Sequence, residues 1–294
     1  MKAASNLLRS LVSSLICVGL AGFIASLPAS AQTPPDSGPP KTAPAKPEAA
    51  KDLPAAKDLV EKHVKAIGGK EAILKHTSKH MKASMMNMGQ PIEMEIRAAK
   101  PNKLLVRVNT PMGVILQGYD GKVAWITGAM GNMILEGAQE KQFKAQADFY
   151  DDLKDPAKFK SMDTVAKEDF EGRPCYKVRF VSKEDEDEHF EYYDAQTGLQ
   201  AGGTMDIGMG MPVTQVLLEY KDFGGVKTAT KTRIVGTGQE FTIGDIEYDK
   251  VEASTFDLPA EIQELIKQQA GAAPAAGETP KPEAPKPSEP APKP

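Results

Sequence analysis

The sequence predicts a mainly β domain of antiparallel strands, with a helical insertion between two sets of strands. Leu104, Val106 and Val108 occupy every second position of 103–108, which is the period-two pattern of a half-buried strand. Turn signals at 110–113 and 120–121 then break the pattern at hairpin spacing. A helical pattern over 138–153 separates this set of strands from a second one.

The first set of strands follows an amphipathic helix. Apolar residues fall on one face of 55–67, which indicates a helix, and a short helical turn is expected at 70–75. Strands begin near Thr77, and the turn residues of 89–91 and 100–102 separate them. The alternation predicts a meander with one wet face and one apolar face.

The second set of strands begins near Asp163 and ends near Val251. The predicted helix 138–153 must lay its apolar stripe on the sheet, and we expect Phe143, Ala147 and Tyr150 to form that inner face. The run 183–188 is a charged hairpin tip whose spacing matches no EF-hand calcium loop. A last short helix is expected over 260–268.

Both ends of the chain differ in composition from the middle. Residues 1–31 have a basic start, an apolar run and an Ala-Ser-Ala cleavage site, which predicts a secretory signal peptide and a periplasmic location. Residues 32–52 and 269–294 are rich in Pro, Ala and Lys and are predicted to be disordered. We interpret them as spacers, with partner binding by the tail as the alternative. The β domain is assigned to 53–268.

Charge and cysteine content limit the function classes. Cleavage removes Lys2 and Arg9, which leaves 34 basic against 40 acidic residues and a net charge of −6. A nucleic-acid binder would need a basic patch, so no nucleic-acid partner is expected. Only Cys175 survives cleavage, and we expect it to be a packed structural thiol.

No stretch of the sequence carries a catalytic signature. His76 and His80 have ligand-like spacing but lack the Glu of a zinc-protease helix, and the glycine-rich stretches lack the context of a nucleotide loop. We therefore expect no enzymatic activity, no metal and no cofactor. Methionine is in excess, in two clusters: Met81, Met85, Met86, Met88 and Met94, then Met205, Met209 and Met211. They are interpreted as core filler, as an adaptable lining for an apolar ligand, or as soft Cu(I) ligands.

Six short motifs occur in a recognisable order along the chain. They are Ala66–Ala72, Gly118–Trp125, Glu171–Tyr176, Tyr192–Leu199, Tyr220–Phe223 and Phe256–Pro259. In this order the chain resembles the outer-membrane lipoprotein-sorting (LolA-like) proteins of bacterial envelopes. The resemblance implies a half-open antiparallel β-barrel or curved sheet with an N-terminal helix and a helical lid. It also implies a non-enzymatic apolar cavity for acyl chains, and the same fold serves as a sensor domain in envelope-stress regulators.

The predicted function is therefore a periplasmic binder or carrier of lipid or lipoprotein acyl chains. Two alternatives stay open: an envelope interaction domain with a filled core and a protein partner, and a methionine-rich copper-binding module. The residues expected to line the cavity are Ile92, Met94, Ile96, Leu104, Val106, Val108, Leu116, Trp125, Phe143, Tyr150, Tyr176, Val178 and Phe180.

Overall fold

The computed structural model describes residues 53–87, 90–129, 131–184, 186–206 and 212–272. The predicted signal peptide, the linker up to residue 52 and the tail beyond residue 272 lie outside these ranges, so those assignments stay predictions. Among the described residues, no helix is both long and apolar enough to cross a membrane.

In the part of the chain that the structure describes, thirteen antiparallel strands form one curved sheet. The strands are β1 (Ser78–Asn87), β2 (Gln90–Ala99), β3 (Lys103–Thr110), β4 (Gly113–Tyr119), β5 (Ala124–Thr127), β6 (Met133–Leu135), β7 (Phe159–Phe170), β8 (Arg173–Ser182), β9 (Glu188–Asp194), β10 (Gln200–Asp206), β11 (Pro212–Phe223), β12 (Val226–Ile234) and β13 (Glu240–Tyr248). Their order is β6-β5-β4-β3-β2-β1-β13-β12-β11-β10-β9-β8-β7. Since β6 and β7 do not pair, the sheet stays open, and the predicted mainly β, half-open architecture is confirmed.

Two meanders make up this sheet, and they meet at one seam. Strands β1–β6 form the first meander and β7–β13 the second, with each strand paired to its neighbour in the chain. The seam joins β1 to β13, with Met81 opposite Ile246 and Met85 opposite Phe241. The first and last strands of the domain therefore hold the two halves together.

Within the described ranges, four α-helices accompany the sheet: α1 (Ala56–Ala66), α2 (Lys70–Lys75), α3 (Ala138–Gln146) and α4 (Ala260–Ala272). The apolar stripe of α1, with Leu59 and Val60 buried, packs on β7, β8 and β9 of the second meander. The α3 helix packs on the first meander from the same, concave side. The 3₁₀ turn Ala253–Phe256 contacts β3 and α4 contacts β6.

The helical insertion is shorter than the sequence pattern predicts. The predicted helix 138–153 ends at Gln146, and two 3₁₀ turns follow at Asp151–Leu153 and Pro156–Lys158. The chain leaves the helix because the Phe149 N–H donates to the Pro101 carbonyl, at 3.1 Å, instead of continuing the helical ladder. Lys154 then takes a positive φ of 45°, which reverses the chain between the two turns.

Candidate functional site

The concave face of the first meander is an apolar surface. Strand register places alternate residues of β1–β5 on this face, because residues directly opposite in an antiparallel pair share a side of the sheet. Five of the predicted lining residues are buried there, and Val108 is partly buried beside them. The five are Ile92, Met94, Ile96, Leu104 and Val106. Met81, Met85, Phe241 and Ile243 extend the surface across the seam.

The α3 helix covers this apolar surface. Phe143 and Ala147 are each 1% exposed and pack into the same cluster as the strand residues. Tyr150 lies at the border of the cluster, and its hydroxyl donates to the His76 carbonyl at 2.9 Å. The helix begins at Ala138, the preceding Gly137 provides no side-chain cap, and the helix has only nine residues. Tertiary packing rather than intrinsic propensity therefore holds it in place.

Three other predicted lining residues lie under a different helix. Tyr176, Val178 and Phe180 share the concave face of β8, but they pack with Leu59 and Val60 of α1. Val178 and Phe180 are fully buried and Tyr176 is partly buried. The predicted lining therefore forms two patches, one under α3 and one under α1.

Leu116 and Trp125 lie on the convex face of the sheet, so they cannot line a concave cavity. Gln117, opposite Val106, faces inward with Tyr119, and its neighbour Leu116 points the other way. Trp125 is opposite Gly118 in the register, and its ring packs directly over that glycine. The 3₁₀ turn and α4 that follow the sheet contact this region from outside.

The interface between α3 and the sheet is closed. A small cavity of about 20 Å³ lies there, lined by Met81, Ile96, Leu104 and residues of the insertion. That volume accommodates about one water molecule and not an acyl chain. A ligand on this surface would therefore have to displace the side chains of α3.

A buried charged cluster lies between the insertion and the second meander. Lys154 Nζ lies 2.7 Å from Asp151 Oδ2 and 3.1 Å from Glu191 Oε1. The other carboxylate oxygen of Glu191 accepts a hydrogen bond from the Tyr193 hydroxyl, and His189 Nε2 lies 3.6 Å from Oε1. Lys154 is 4% exposed and Glu191 is fully buried, so the pair ties the insertion to β9 away from water.

The electrostatics of this cluster follow from burial and pairing. Burial alone would raise the pKa of Glu191, but the Lys154 ammonium and the hydrogen bonds hold it far below its usual range. Burial would lower the pKa of Lys154, yet Asp151 and Glu191 raise it well above its usual value. Nearby, burial lowers the pKa of His63 to about 4, so this core histidine is neutral.

The centre of the concave face is polar where the second meander lines it. Gln215, Thr230 and Thr232 are buried on β11 and β12, near the seam. Gln215 Oε1 and Thr230 Oγ1 have no hydrogen-bond partner among the described residues. The continuous apolar surface is therefore confined to the first meander and the seam.

The structure also places the cysteine, the candidate metal ligands and the methionine clusters that the sequence analysis considered. Burial raises the pKa of the fully buried Cys175 thiol to about 11, as expected for a packed structural residue. The described residues contain no group of His, Cys, Asp and Glu side chains that could hold a metal. Met85 lies on the concave face and Met86 on the convex face, so strand alternation separates them. Met88, Met209 and Met211 lie outside the described residues.

No family model and no curated protein matches the sequence. Among solved structures, the chain is similar to a DUF1329 family protein from Desulfovibrio piger, at 13% identity and a TM-score of 0.52, over 71% of this chain and all of that one. It is also similar to a LolA superfamily protein from Nitrosomonas europaea, at 9% identity and a TM-score of 0.49, over 70% and 99% of the two chains. A Pseudomonas aeruginosa MucA/MucB complex contains a chain similar at 15% identity and a TM-score of 0.26, over 70% and 62% of the two chains. At these identities the likeness concerns the fold alone, and it is the match to the DUF1329 family protein that supports a shared fold.

Proposed function

We propose that this chain is a non-enzymatic periplasmic protein that binds the acyl chains of a lipid or lipoprotein between α3 and the first meander. The apolar surface beneath an uncapped nine-residue helix is the observation that supports this most strongly. The signal-peptide pattern of residues 1–31 supports the location.

Binding on this surface requires α3 to move, because the cavity of about 20 Å³ is too small. Removing an aromatic side chain such as Phe143 from a core costs about 3–5 kcal/mol. Each methylene transferred from water contributes about 0.8 kcal/mol. A chain that buries more than about six methylenes therefore offsets the displacement of Phe143, whereas a short chain does not.

Native mass spectrometry of the chain purified without detergent tests this function directly. We expect co-purifying lipid or acylated peptide, or uptake of added long-chain fatty acid, at close to one molecule per chain. Phe143→Asp should lose the ligand because a charge on the inner side of α3 disfavours apolar contact. Gln139→Asp, at an exposed position of the same helix, is the matched control and should retain it.

A protein-interaction domain with a filled core is the second candidate, and the closed interface under α3 favours it. It predicts an apo mass, no uptake of fatty acid, and a protein partner. Retention of ligand by a folded Phe143→Asp variant would place the lipid elsewhere and contradict the site proposed here. A copper module is disfavoured because Met85 and Met86 lie on opposite faces of β1.

A further inference from the structure

Six hairpins end at the same edge of the sheet, and the last of them in the sheet order, β8–β9, carries the charged run 183–188. Ten neighbouring strands of the sheet, which run in the order β6-β5-β4-β3-β2-β1-β13-β12-β11-β10, contain the other five hairpins. These hairpins are β1–β2, β3–β4, β5–β6, β10–β11 and β12–β13. Adjacent strands lie about 4.8 Å apart, so neighbouring hairpins are separated by about 10 Å. The ends of two of them touch, since a Cβ at Gly128 would lie 3.1 Å from the Val114 carbonyl oxygen.

Exposed apolar side chains concentrate at this edge. We define the methionine rim as Met86, Met112, Val114, Met133 and Val235, which are 53%, 56%, 36%, 51% and 42% exposed. They are five of the eight large apolar side chains that are exposed among the described residues. Single exposed apolar residues are normal on a protein surface, but a group of them at one edge indicates an interaction surface.

Charge is absent from the first three of these hairpins, whereas the β8–β9 hairpin at the same edge carries the charged run 183–188. Residues 83–92, 108–119 and 123–135, which contain the first three hairpins of the rim, include no Asp, Glu, Lys or Arg. Charged residues make up 26% of the whole chain, so three such runs are unusual. The turns at the opposite end do carry charge, for example Lys100 in 100–102 and Asp120 in 120–123.

The composition of the methionine rim suits contact with a lipid bilayer better than contact with a protein partner. Protein interfaces rely on Trp, Tyr and Arg anchors that fill pockets, and the rim contains none of these. It consists of hairpin ends in a row along the edge of the sheet. Flexible, polarizable methionine side chains adapt to irregular apolar surroundings. The uncharged part of this edge, formed by the first three hairpins, can also enter the headgroup region of a bilayer without the cost of dehydrating ionised groups.

We propose that the chain docks end-on to a lipid bilayer through the methionine rim, and that this docking needs no anionic lipid. The side chains of Met112, Val114 and Met133 insert first, since they lie on two adjoining hairpins. Docking is independent of the proposal that α3 covers a lipid site, because none of the rim residues contacts α3 in the apolar cluster beneath that helix.

Vesicle flotation with the purified chain tests the docking. We expect binding to vesicles of phosphatidylcholine alone, with little change when phosphatidylglycerol or salt is added, since screening affects only charge-driven binding. The double variant Met112→Asp/Met133→Asp should lose at least about tenfold in partitioning. The control Val165→Asp/Leu218→Asp replaces two apolar residues of 39% exposure elsewhere and should bind within about twofold of the parent.

Three results would overturn the proposal: no binding to neutral vesicles, equal losses in the two double variants, or binding that requires anionic lipid. Dissociation of a dimer by the Met112→Asp/Met133→Asp change would instead assign the rim to a second copy of the chain. A fluorophore on Met112→Cys should shift to shorter wavelength with vesicles, while one on Val165→Cys should not. This second measurement does not depend on the stability of the aspartate variants, and a failure to shift also counts against docking.

Discussion

Replacing Lys154 with Met should destabilise the fold by leaving the carboxylate of Glu191 buried without its cation. Met preserves most of the side-chain volume, and neither residue is favoured at the positive φ of this position, so the comparison isolates the charge. Nζ lies 3.1 Å from Glu191 Oε1, and the glutamate is fully buried. Removing one partner of a buried pair costs about 3–5 kcal/mol. For a domain of this size, that lowers the midpoint of thermal unfolding by about 10 °C.

The pH dependence of stability provides the sharper test. In the parent chain the pKa of Glu191 is lowered by folding, so its stabilisation is present above the unfolded pKa and is lost as pH falls through the folded pKa. Without Lys154, burial dominates and raises that pKa, so the folded state takes up a proton. The variant should therefore become more stable as pH falls from about 7 to about 5, a range in which Glu191 of the parent stays ionised in both states and contributes little pH dependence.

Urea denaturation of Lys154→Met and of Lys154→Met/Glu191→Gln measures both effects. The second change removes the unpaired charge while keeping the size of the side chain, so it should restore much of the lost stability and flatten the pH dependence. A loss below about 1 kcal/mol in the single variant, or the same loss at every pH, would refute the reasoning that this pair is buried and coupled.

Three further predictions concern Gly118, Cys175 and Asp249. Gly118→Ala would place a Cβ 2.5 Å from the indole ring that covers it, so urea denaturation should show a loss of about 1–3 kcal/mol, whereas Gly244→Ala, with its nearest atom at 3.8 Å, should lose less. Because burial raises the pKa of Cys175 to about 11, thiol reagents should modify the folded chain far more slowly than the unfolded chain at neutral pH. Partial burial would raise the pKa of Asp249, but hydrogen bonds lower it to about 2. The parent should therefore lose stability from about pH 4 to pH 2, and Asp249→Asn should lose less over the same range.

Local patterns in the sequence predict much of the fold but less of the site. The alternation in β2 and β3 identifies their buried faces, because each apolar residue is followed by a polar or partly exposed one. In β4 the residues Val114, Ile115 and Leu116 are all apolar, so the sequence does not indicate which face of the strand is buried. The register with β3 places Gln117 on the inward face. The sequence therefore offers no local signal that Leu116 faces outward.

The charged cluster is invisible to local patterns for a different reason. Lys154 and Glu191 are separated by many residues, and each reads as an ordinary surface side chain in its own segment. Their pairing depends on the chain reversal at Lys154 and on the position of the insertion above β9. Only the tertiary arrangement brings the two charges together.

The seam between β1 and β13 has a consequence for the order of folding. Each meander is built from contacts between neighbours in the chain, and such local contacts form fast. The seam joins the first strand to the last, so it forms only once the whole domain is available. Until then β1 and β13 are both unpaired edges, which are sites of aggregation. A circular permutant that opens the chain between β6 and β7 and links the present ends would make the seam a local contact, and it should refold faster than the parent.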